Sequence, residues 1–230
     1  MFYGVLFSML AVLISVYSAI CGGWFLLLLW PALSLGLLSA AYFGVGPCVF
    51  GKRFDGTMRL ASVAVLLPYL SYAWFVWYLL RLVRRESPVD ELLPNVMIGR
   101  RLISSELTED VERVVDLTCE FVEPRRIRAV REYISFPILD GVDADPQQLV
   151  CLARRLAVGR SMTLIHCAQG HGRTGMVASA LLLVAGHAAS ADEAIRFVQA
   201  KRKLVRLKPT QSQAVCQVAR ILCGGSSAPT

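Results

Sequence analysis

Hydrophobic and polar positions are distributed unevenly along the chain, and two long uncharged runs occupy its first third. Residues 1–51 contain no acidic, basic or histidine side chain, and a second uncharged run covers residues 60–80. About 20 helical residues cross the apolar core of a bilayer, so the first run is long enough for two helices and the second for one. The pattern predicts three transmembrane helices, at about residues 1–20, 24–44 and 60–80.

The alternative to a membrane region is a cleaved signal peptide followed by buried core helices. A signal peptide has a basic stretch before its apolar segment, and none precedes the first run here. The third run ends in Trp74, Trp77 and Tyr78 followed by "RLVRR", a pattern typical of a membrane interface followed by a charged stop. The sequence therefore favours an all-α membrane region over residues 1–85 of a multi-pass integral membrane protein.

The net charge of +7 is concentrated beside the apolar runs. Residues 1–85 carry six basic side chains against Asp55, which gives +5, and the remaining residues carry 18 basic against 16 acidic. Positive charge beside apolar segments suits binding to anionic lipid headgroups. The sequence contains no basic stripe with interleaved aromatic residues, the pattern that would indicate a nucleic-acid partner. Three basic residues precede the third predicted span and five follow it, which favours a cytosolic C-terminal domain.

The pattern changes after residue 86 to short apolar runs that alternate with amphipathic helices. The segments "NVMIGR", "RVVDLT", "EYISFP" and "SMTLIHC" predict strands. Asp145 before Pro146 and Ser190 before "ADEAIRFVQAKR" predict the N-caps of two helices, and "PTQSQAVCQVARILC" predicts a last one. The alternation predicts an α/β domain over residues 86–223, with a central, largely parallel sheet flanked by helices, and a disordered tail at 224–230.

The connection "CAQGHGR", residues 167–173, lies between a predicted buried strand and a predicted helix. Gly170 and Gly172 allow backbone N–H groups to turn toward one point beside a helix N-terminus, which makes an anion site. Arg173 offers a planar, bidentate fork to two oxygens of a phosphate. The same positive field stabilises Cys167 as a thiolate, so this 167–173 loop combines a phosphate cradle with a nucleophile.

The seven cysteines include no C-x-x-C pair and no cluster with metal-ligand spacing. Most of them have apolar neighbours, as buried thiols in a reducing compartment do. The sequence therefore predicts no disulfide framework, no metal site and no cofactor. Cys167 differs from the others because its neighbours are glycine, histidine and arginine.

The loop resembles the signature H-C-x-x-G-x-x-R-[ST] of the cysteine-dependent protein tyrosine phosphatases. The matching residues are His166, Cys167, Gly170, Arg173 and Thr174. The resemblance extends over roughly residues 91–218 and is greatest to the compact dual-specificity branch. The segment "ELLPNVMIGR" resembles the opening strand of that branch. It implies metal-free hydrolysis of phosphate monoesters through a phosphocysteine intermediate.

The resemblance also implies a role for each loop residue. Cys167 would attack phosphorus, Thr174 would hydrogen-bond its sulfur, and His166 would orient the loop. A glutamine after Pro209, either Gln211 or Gln213, would position the attacking water. The groups that would hold the phosphate oxygens are the side chain of Arg173 and the amides of Ala168, Gln169, Gly170, His171, Gly172 and Arg173.

The resemblance also implies that the segment "PILDGVDADP" provides the general acid, and this segment contains three aspartates. Asp145 is already predicted to cap a helix, and Asp143 suits a turn. Asp140 follows "FPIL" at the end of a strand, precedes Gly141 and corresponds to the acid position of the family. Asp140 is the predicted acid, with Asp143 and Asp145 as alternatives.

The variable loop positions, Ala168, Gln169 and His171, contain no lysine that would meet additional phosphates of a substrate. This favours a phosphoprotein, or a singly phosphorylated phospholipid, over an inositol polyphosphate. The basic segment "EPRRIRAVRE" is either a second anion site or a solvated face. A catalytically silent phosphate-binding membrane module is the remaining alternative, although the cysteine, arginine and acid are all present.

Overall fold

The computed structural model describes residues 2–84, 86–159 and 161–224, and the chain divides into two compact units. The first unit comprises residues 1–85 together with Cys119–Glu123, and the second comprises Glu86–Thr118 together with residues 124–230. The predicted disordered tail lies outside the described residues, except for Gly224 at the end of the last helix.

The first unit contains the predicted apolar helices. Helix α1 (Phe2–Cys21) is followed by a helical stretch, Gly23–Phe50, whose central part is α2 (Leu29–Ala40), and then by α3 (Leu60–Val83). By length and composition alone, these three segments could each cross a membrane. Large apolar side chains such as Trp24 are more than four-fifths exposed. So much exposed apolar surface is typical of a protein face that contacts lipid or another protein rather than water.

Polar contacts inside the first unit join its helices through small residues. Ser39 Oγ donates a 2.8 Å hydrogen bond to the Gly4 carbonyl oxygen and lies 2.6 Å from Ser8 Oγ. Trp30 Nε1 donates to the Ala64 carbonyl oxygen at 3.1 Å. Contacts of this kind are common between helices in a bilayer, where no hydrophobic effect drives association.

The second unit is built on a five-stranded sheet. Its strands are β1 (Val89–Leu93), β2 (Val96–Arg100), β3 (Arg113–Asp116), β4 (Glu132–Ser135) and β5 (Thr163–Cys167). The strand order is β1-β2-β5-β3-β4, and every neighbouring pair is parallel except β1 with β2. The largely parallel α/β fold is thus confirmed. The predicted opening strand is in fact an antiparallel hairpin, because Pro94 and Asn95 form a turn inside it.

Helices pack around the sheet and bury its central strand. They are α4 (Arg125–Arg128), α5 (Pro146–Ala157), α6 (Gly172–Val184), α7 (Ala191–Lys201) and α8 (Pro209–Gly224). Helix α6 is buried over almost its whole length, and α5, α7 and α8 pack against it. The predicted caps are present: Asp145 accepts a 2.9 Å hydrogen bond from the Gln148 N–H, and Ser190 accepts one of 3.2 Å from the Glu193 N–H.

Glu132 on β4 connects neighbouring elements of the second unit through two arginines. It accepts hydrogen bonds from Arg113 on β3 and from Arg155 on α5, whose Nη2 lies 2.7 Å from Glu132 Oε1. Burial raises the pKa of Glu132, but the hydrogen bonds and charges of Arg113 and Arg155 outweigh this effect and hold that pKa below its usual value.

Glu132→Gln is expected to lower the melting temperature of the full chain modestly at pH 7. A depressed folded-state pKa contributes stability above the unfolded-state pKa, and this stability is lost as the pH falls through the folded-state pKa. The difference between wild type and variant should therefore begin to shrink as the pH falls below about 4.3, the pKa of an unfolded glutamate, and it should disappear below the lower pKa of the folded state. Thermal unfolding monitored by circular dichroism measures it, with Glu109→Gln, at an exposed site, as the control. A difference that is unchanged at low pH would contradict this assignment.

Candidate functional site

The 167–173 loop connects the carboxyl end of β5 to the start of α6. β5 is the central strand and is fully buried, so it fixes the position of Cys167, which is itself 3% exposed. The N–H of Gly170 donates a 3.3 Å hydrogen bond to Cys167 Sγ, which places the sulfur on the amide side of the loop.

Gly170 is required by both conformation and space. Its φ is +73°, in the left-handed region that side chains rarely adopt. A Cβ at this position would lie 2.3 Å from the carbonyl carbon of Gly99 on β2. Only glycine therefore lets the loop pass this close to the neighbouring strand.

Arg202 holds the outer side of the loop, and the sequence does not predict this role. Its Nε donates a 2.9 Å hydrogen bond to the Gly170 carbonyl oxygen, and its Nη2 donates one of 3.4 Å to the Gln169 carbonyl oxygen. Arg202 is 1% exposed and forms an ion pair with Asp90 at 2.6 Å. In the sequence it is one of three consecutive basic residues, and nothing in that pattern separates it from the exposed Lys201 and Lys203.

The direction of these carbonyls determines the direction of the loop amides. In a planar trans peptide unit, C=O and N–H point in opposite directions. Because Arg202 binds the carbonyls of Gln169 and Gly170, the N–H groups of Gly170 and His171 point away from Arg202. The Gly170 N–H accordingly reaches Cys167 Sγ, so the inner side of the loop is the donor side.

Arg173 lies in the first turn of α6 and is 2% exposed. Its Nη1 donates a 3.1 Å hydrogen bond to the Ile138 carbonyl oxygen, and its Nη2 lies 3.4 Å from Asp140 Oδ1. These two contacts hold the Arg173 guanidinium group at the loop, and both come from the segment Ile138–Asp140, which contains the predicted general acid.

The three candidate aspartates occupy different environments. The side chain of Asp140 is 70% exposed and approaches Arg173, whereas Asp145 caps α5. Asp143 is exposed on the loop between them. Gly141, beside Asp140, has φ +72°, and a Cβ there would lie 2.2 Å from Lys208 Nζ. Among the three, Asp140 is the one for which the structure records a contact with a residue of the 167–173 loop.

The residues predicted to support catalysis differ in their burial and in their contacts. His166 and Thr174 are fully buried, and within the described ranges the His166 ring nitrogens and Thr174 Oγ1 have no hydrogen-bond partner. The bond predicted for Thr174 concerns the Cys167 sulfur as it leaves during the reaction, and it stays a prediction. Gln211 is buried, and a Cβ on Gly172 would lie 2.8 Å from its Oε1. Gln213 is exposed, so Gln211 is the glutamine that lies beside the loop.

A parallel sheet whose central strand ends at a cysteine, followed by a glycine-containing loop and a buried arginine, is the architecture of a tyrosine or dual-specificity phosphatase domain. A family model agrees with this class over residues 104–227, more than half of the chain. The chain belongs to that family, PTP-SAK, described as "Swiss Army Knife protein, DSP-PTPase phosphatase domain". No curated protein matches the chain.

Solved structures of the same fold match more than half of the chain. The chain is similar to Tk-PTP in its active form, with 27% identity and a TM-score of 0.51 over 58% of this chain and 97% of that one. It is also similar to PTPMT1 in complex with PI(5)P (15% identity, TM-score 0.52, 61% and 100% covered) and to a single-residue variant of human DUSP28 (18%, 0.53, 60% and 99%). At these lower identities the likeness to PTPMT1 and DUSP28 concerns the fold alone.

Proposed function

We propose that this protein is a membrane-anchored phosphatase that hydrolyses phosphate monoesters through a phosphocysteine intermediate. The observation that carries the proposal is the 167–173 loop, in which the Gly170 N–H binds Cys167 Sγ while Arg173 and Asp140 lie 3.4 Å apart. Donor groups and the thiol thus converge on the side of the loop where a phosphate would bind. The membership in a phosphatase family supports the reaction class.

The proposed reaction has two steps. Cys167 Sγ attacks phosphorus, an S–P bond forms, and the P–O bond to the leaving group breaks as Asp140 gives its proton to the departing oxygen. Water then attacks the phosphocysteine, Asp140 accepts a proton from it, and phosphate and the thiolate are released. Arg173 and the loop amides stabilise the charge on the phosphoryl oxygens in both steps.

The proposed supporting roles follow from where the residues lie. Gln211, with its Nε2 bonded to the Val142 carbonyl oxygen at 3.2 Å, is oriented beside the loop and would position the attacking water. Thr174 Oγ1 is buried next to the loop and would donate to the sulfur when it leaves as a thiolate. His166, buried on β5, would fix the strand end that presents Cys167.

A phosphoprotein bearing phosphotyrosine, phosphoserine or phosphothreonine is the proposed substrate. The variable loop positions Ala168, Gln169 and His171 supply no lysine for additional phosphates. A singly phosphorylated lipid is the second candidate, because three helices long and apolar enough to cross a bilayer belong to the same chain. We assign these helices to a membrane and the phosphatase domain to its cytosolic side.

A panel of phosphopeptides and lipid phosphates, assayed on the detergent-solubilised full chain, tests the proposal. Phosphopeptide turnover that exceeds lipid turnover supports a protein phosphatase, and the reverse order supports the lipid alternative. Absence of turnover for every ester, including an activated aryl phosphate, would contradict the enzyme and support a silent phosphate-binding module.

Asp140→Asn is expected to lower kcat by about 10²-fold for an alkyl phosphate ester and by clearly less for an activated aryl phosphate. An alkoxide must be protonated as it departs, whereas an activated phenolate leaves without much help. Steady-state kinetics with both esters measure the difference.

Asp143→Asn and Asp145→Asn are the matched controls. Both should retain near-normal kcat, the second because asparagine caps a helix about as well as aspartate. A leaving-group-dependent loss in Asp143→Asn, but not in Asp140→Asn, would assign the acid to Asp143 instead.

A further inference from the structure

Glu86, three residues beyond the end of α3, contacts two groups that border the 167–173 loop. Both of its carboxylate oxygens lie 3.0 Å from Nε2 of His171, and Oε1 also lies 2.8 Å from Nη2 of Arg202. An ionised carboxylate only accepts hydrogen bonds, so Nε2 of His171 carries the proton in this contact. A single carboxylate therefore links a side chain of the loop to the arginine that binds the loop carbonyls.

We propose that Glu86 is a positioning residue for the 167–173 loop. It anchors the imidazole of His171 from outside and orients Arg202, which in turn binds the carbonyls of Gln169 and Gly170. Together these contacts fix the peptide units on both sides of Gly170 and keep their N–H groups directed at the bound phosphate. This inference rests on the proposed function, because it requires the loop to bind a phosphoryl group.

The charges around Arg202 explain why removal of Glu86 should alter the loop without unfolding the domain. Arg202 Nη1 lies 2.6 Å from Asp90 Oδ2 and donates a 3.0 Å hydrogen bond to the Ser87 carbonyl oxygen. Without Glu86, Asp90 still compensates the buried guanidinium charge. What is lost is the contact between Glu86 and His171, and with it the carboxylate partner of Arg202 Nη2, the nitrogen that also donates to the Gln169 carbonyl.

Glu86 lies in the segment of the chain that connects the apolar helices to the phosphatase domain. The segment that carries it is the covalent connection between α3 and β1, and its side chain is mostly buried, with 16% exposed. The geometry of the loop therefore depends on the segment that joins the apolar unit to the phosphatase domain. Nothing in the composition of "RRESPVDELL" distinguishes this glutamate from an ordinary linker residue.

Glu86→Gln in the detergent-solubilised full chain tests the proposal, since glutamine keeps the shape and removes the charge. We expect tungstate, a phosphate mimic, to bind about 10-fold more weakly, and kcat/KM for an aryl phosphate to fall by about 10-fold to 100-fold. The melting temperature should stay close to that of the wild type. Glu91→Gln, an exposed glutamate five residues further along, is the matched control and should leave all three quantities unchanged.

A double-mutant cycle separates positioning from general destabilisation. His171→Phe keeps a planar ring but has no nitrogen that could donate, and it should weaken tungstate binding as Glu86→Gln does. The double variant should bind tungstate no more weakly than the single variant with the lower affinity, because both changes remove the charge-assisted contact between these two side chains. Losses that add in the double variant would overturn the proposal. If Glu86→Gln does not yield folded protein, His171→Phe decides the question, and unchanged tungstate affinity in that variant would overturn the proposal.

Tungstate binding and turnover distinguish failure of this inference from failure of the proposed function. A wild-type chain that binds tungstate but hydrolyses no ester contradicts the phosphatase, while a weaker affinity in Glu86→Gln still supports the role of Glu86. An active wild type with unchanged tungstate affinity and kcat/KM in Glu86→Gln supports the phosphatase and overturns the role of Glu86.

Discussion

Cys167→Ser is expected to lower turnover of every phosphate ester by about 10³-fold or more while leaving tungstate binding largely intact. The reason lies in the geometry of the loop. A serine hydroxyl at this position is not ionised at neutral pH and is a weak nucleophile without an adjacent base. In the proposed mechanism, however, the amides of the loop and Arg173 hold the oxyanion, and neither of these is changed by the substitution.

The measurement pairs steady-state kinetics with tungstate titration on the same preparation. Cys151→Ser, at an exposed position on α5, is the matched control and should behave as wild type. Residual hydrolysis above a few per cent in Cys167→Ser would exclude Cys167 as the nucleophile. A parallel loss of tungstate binding would mean that the sulfur itself shapes the cradle, and the Gly170 N–H that binds Cys167 Sγ would be the first contact to examine.

The parts of the site that the sequence predicts are those encoded locally. A buried strand, a glycine-containing loop and a helix start follow one another within about 20 residues, so apolar periodicity and glycine placement are sufficient to predict them. The same applies to the caps at Asp145 and Ser190, which depend on residues three positions away. The hairpin of β1 and β2 resembles a single strand in the sequence because its turn, Pro94 and Asn95, is only two residues long.

Contacts between distant residues are what the sequence does not predict. Arg202 reaches Gly170 across 32 positions of the chain, and Glu86 reaches His171 across 85. Each is an ordinary charged residue in a polar segment, and only the fold reveals that it is buried. A buried charge is costly unless it is paired, so burial of Arg202 requires the acidic partners that the hairpin and its preceding segment provide.

The same rule supports the different roles that we propose for the two buried arginines of the site. The Arg202 guanidinium is compensated by Glu86 and Asp90, which leaves it to hold carbonyl oxygens. Arg173 bonds to the Ile138 carbonyl and lies 3.4 Å from the largely exposed Asp140, a longer contact that a bound phosphate can replace. The arginine with the weaker anionic partner is therefore the one suited to bind substrate.

Arg173→Lys is expected to lower kcat/KM by about 10³-fold, even though the charge is conserved. A guanidinium group presents two parallel N–H donors to two oxygens, whereas an ammonium group is a point charge with no fixed plane. Lysine also has one donor nitrogen where Arg173 has two terminal ones, so the same atom would have to serve the Ile138 carbonyl and a phosphate oxygen. Much of the loss should appear in kcat, because the charge on the phosphoryl oxygens is redistributed in the transition state.

Steady-state kinetics with an activated aryl phosphate measure the effect, with thermal unfolding as the check that the variant is folded. Arg155→Lys, at a mostly exposed position on α5, is the matched control for the same exchange and should keep near-normal activity. Near-normal kcat in Arg173→Lys would mean that another group binds the phosphoryl oxygens. Because Arg173 is the only arginine within residues 167–173, the loop amides alone would then have to account for oxyanion stabilisation.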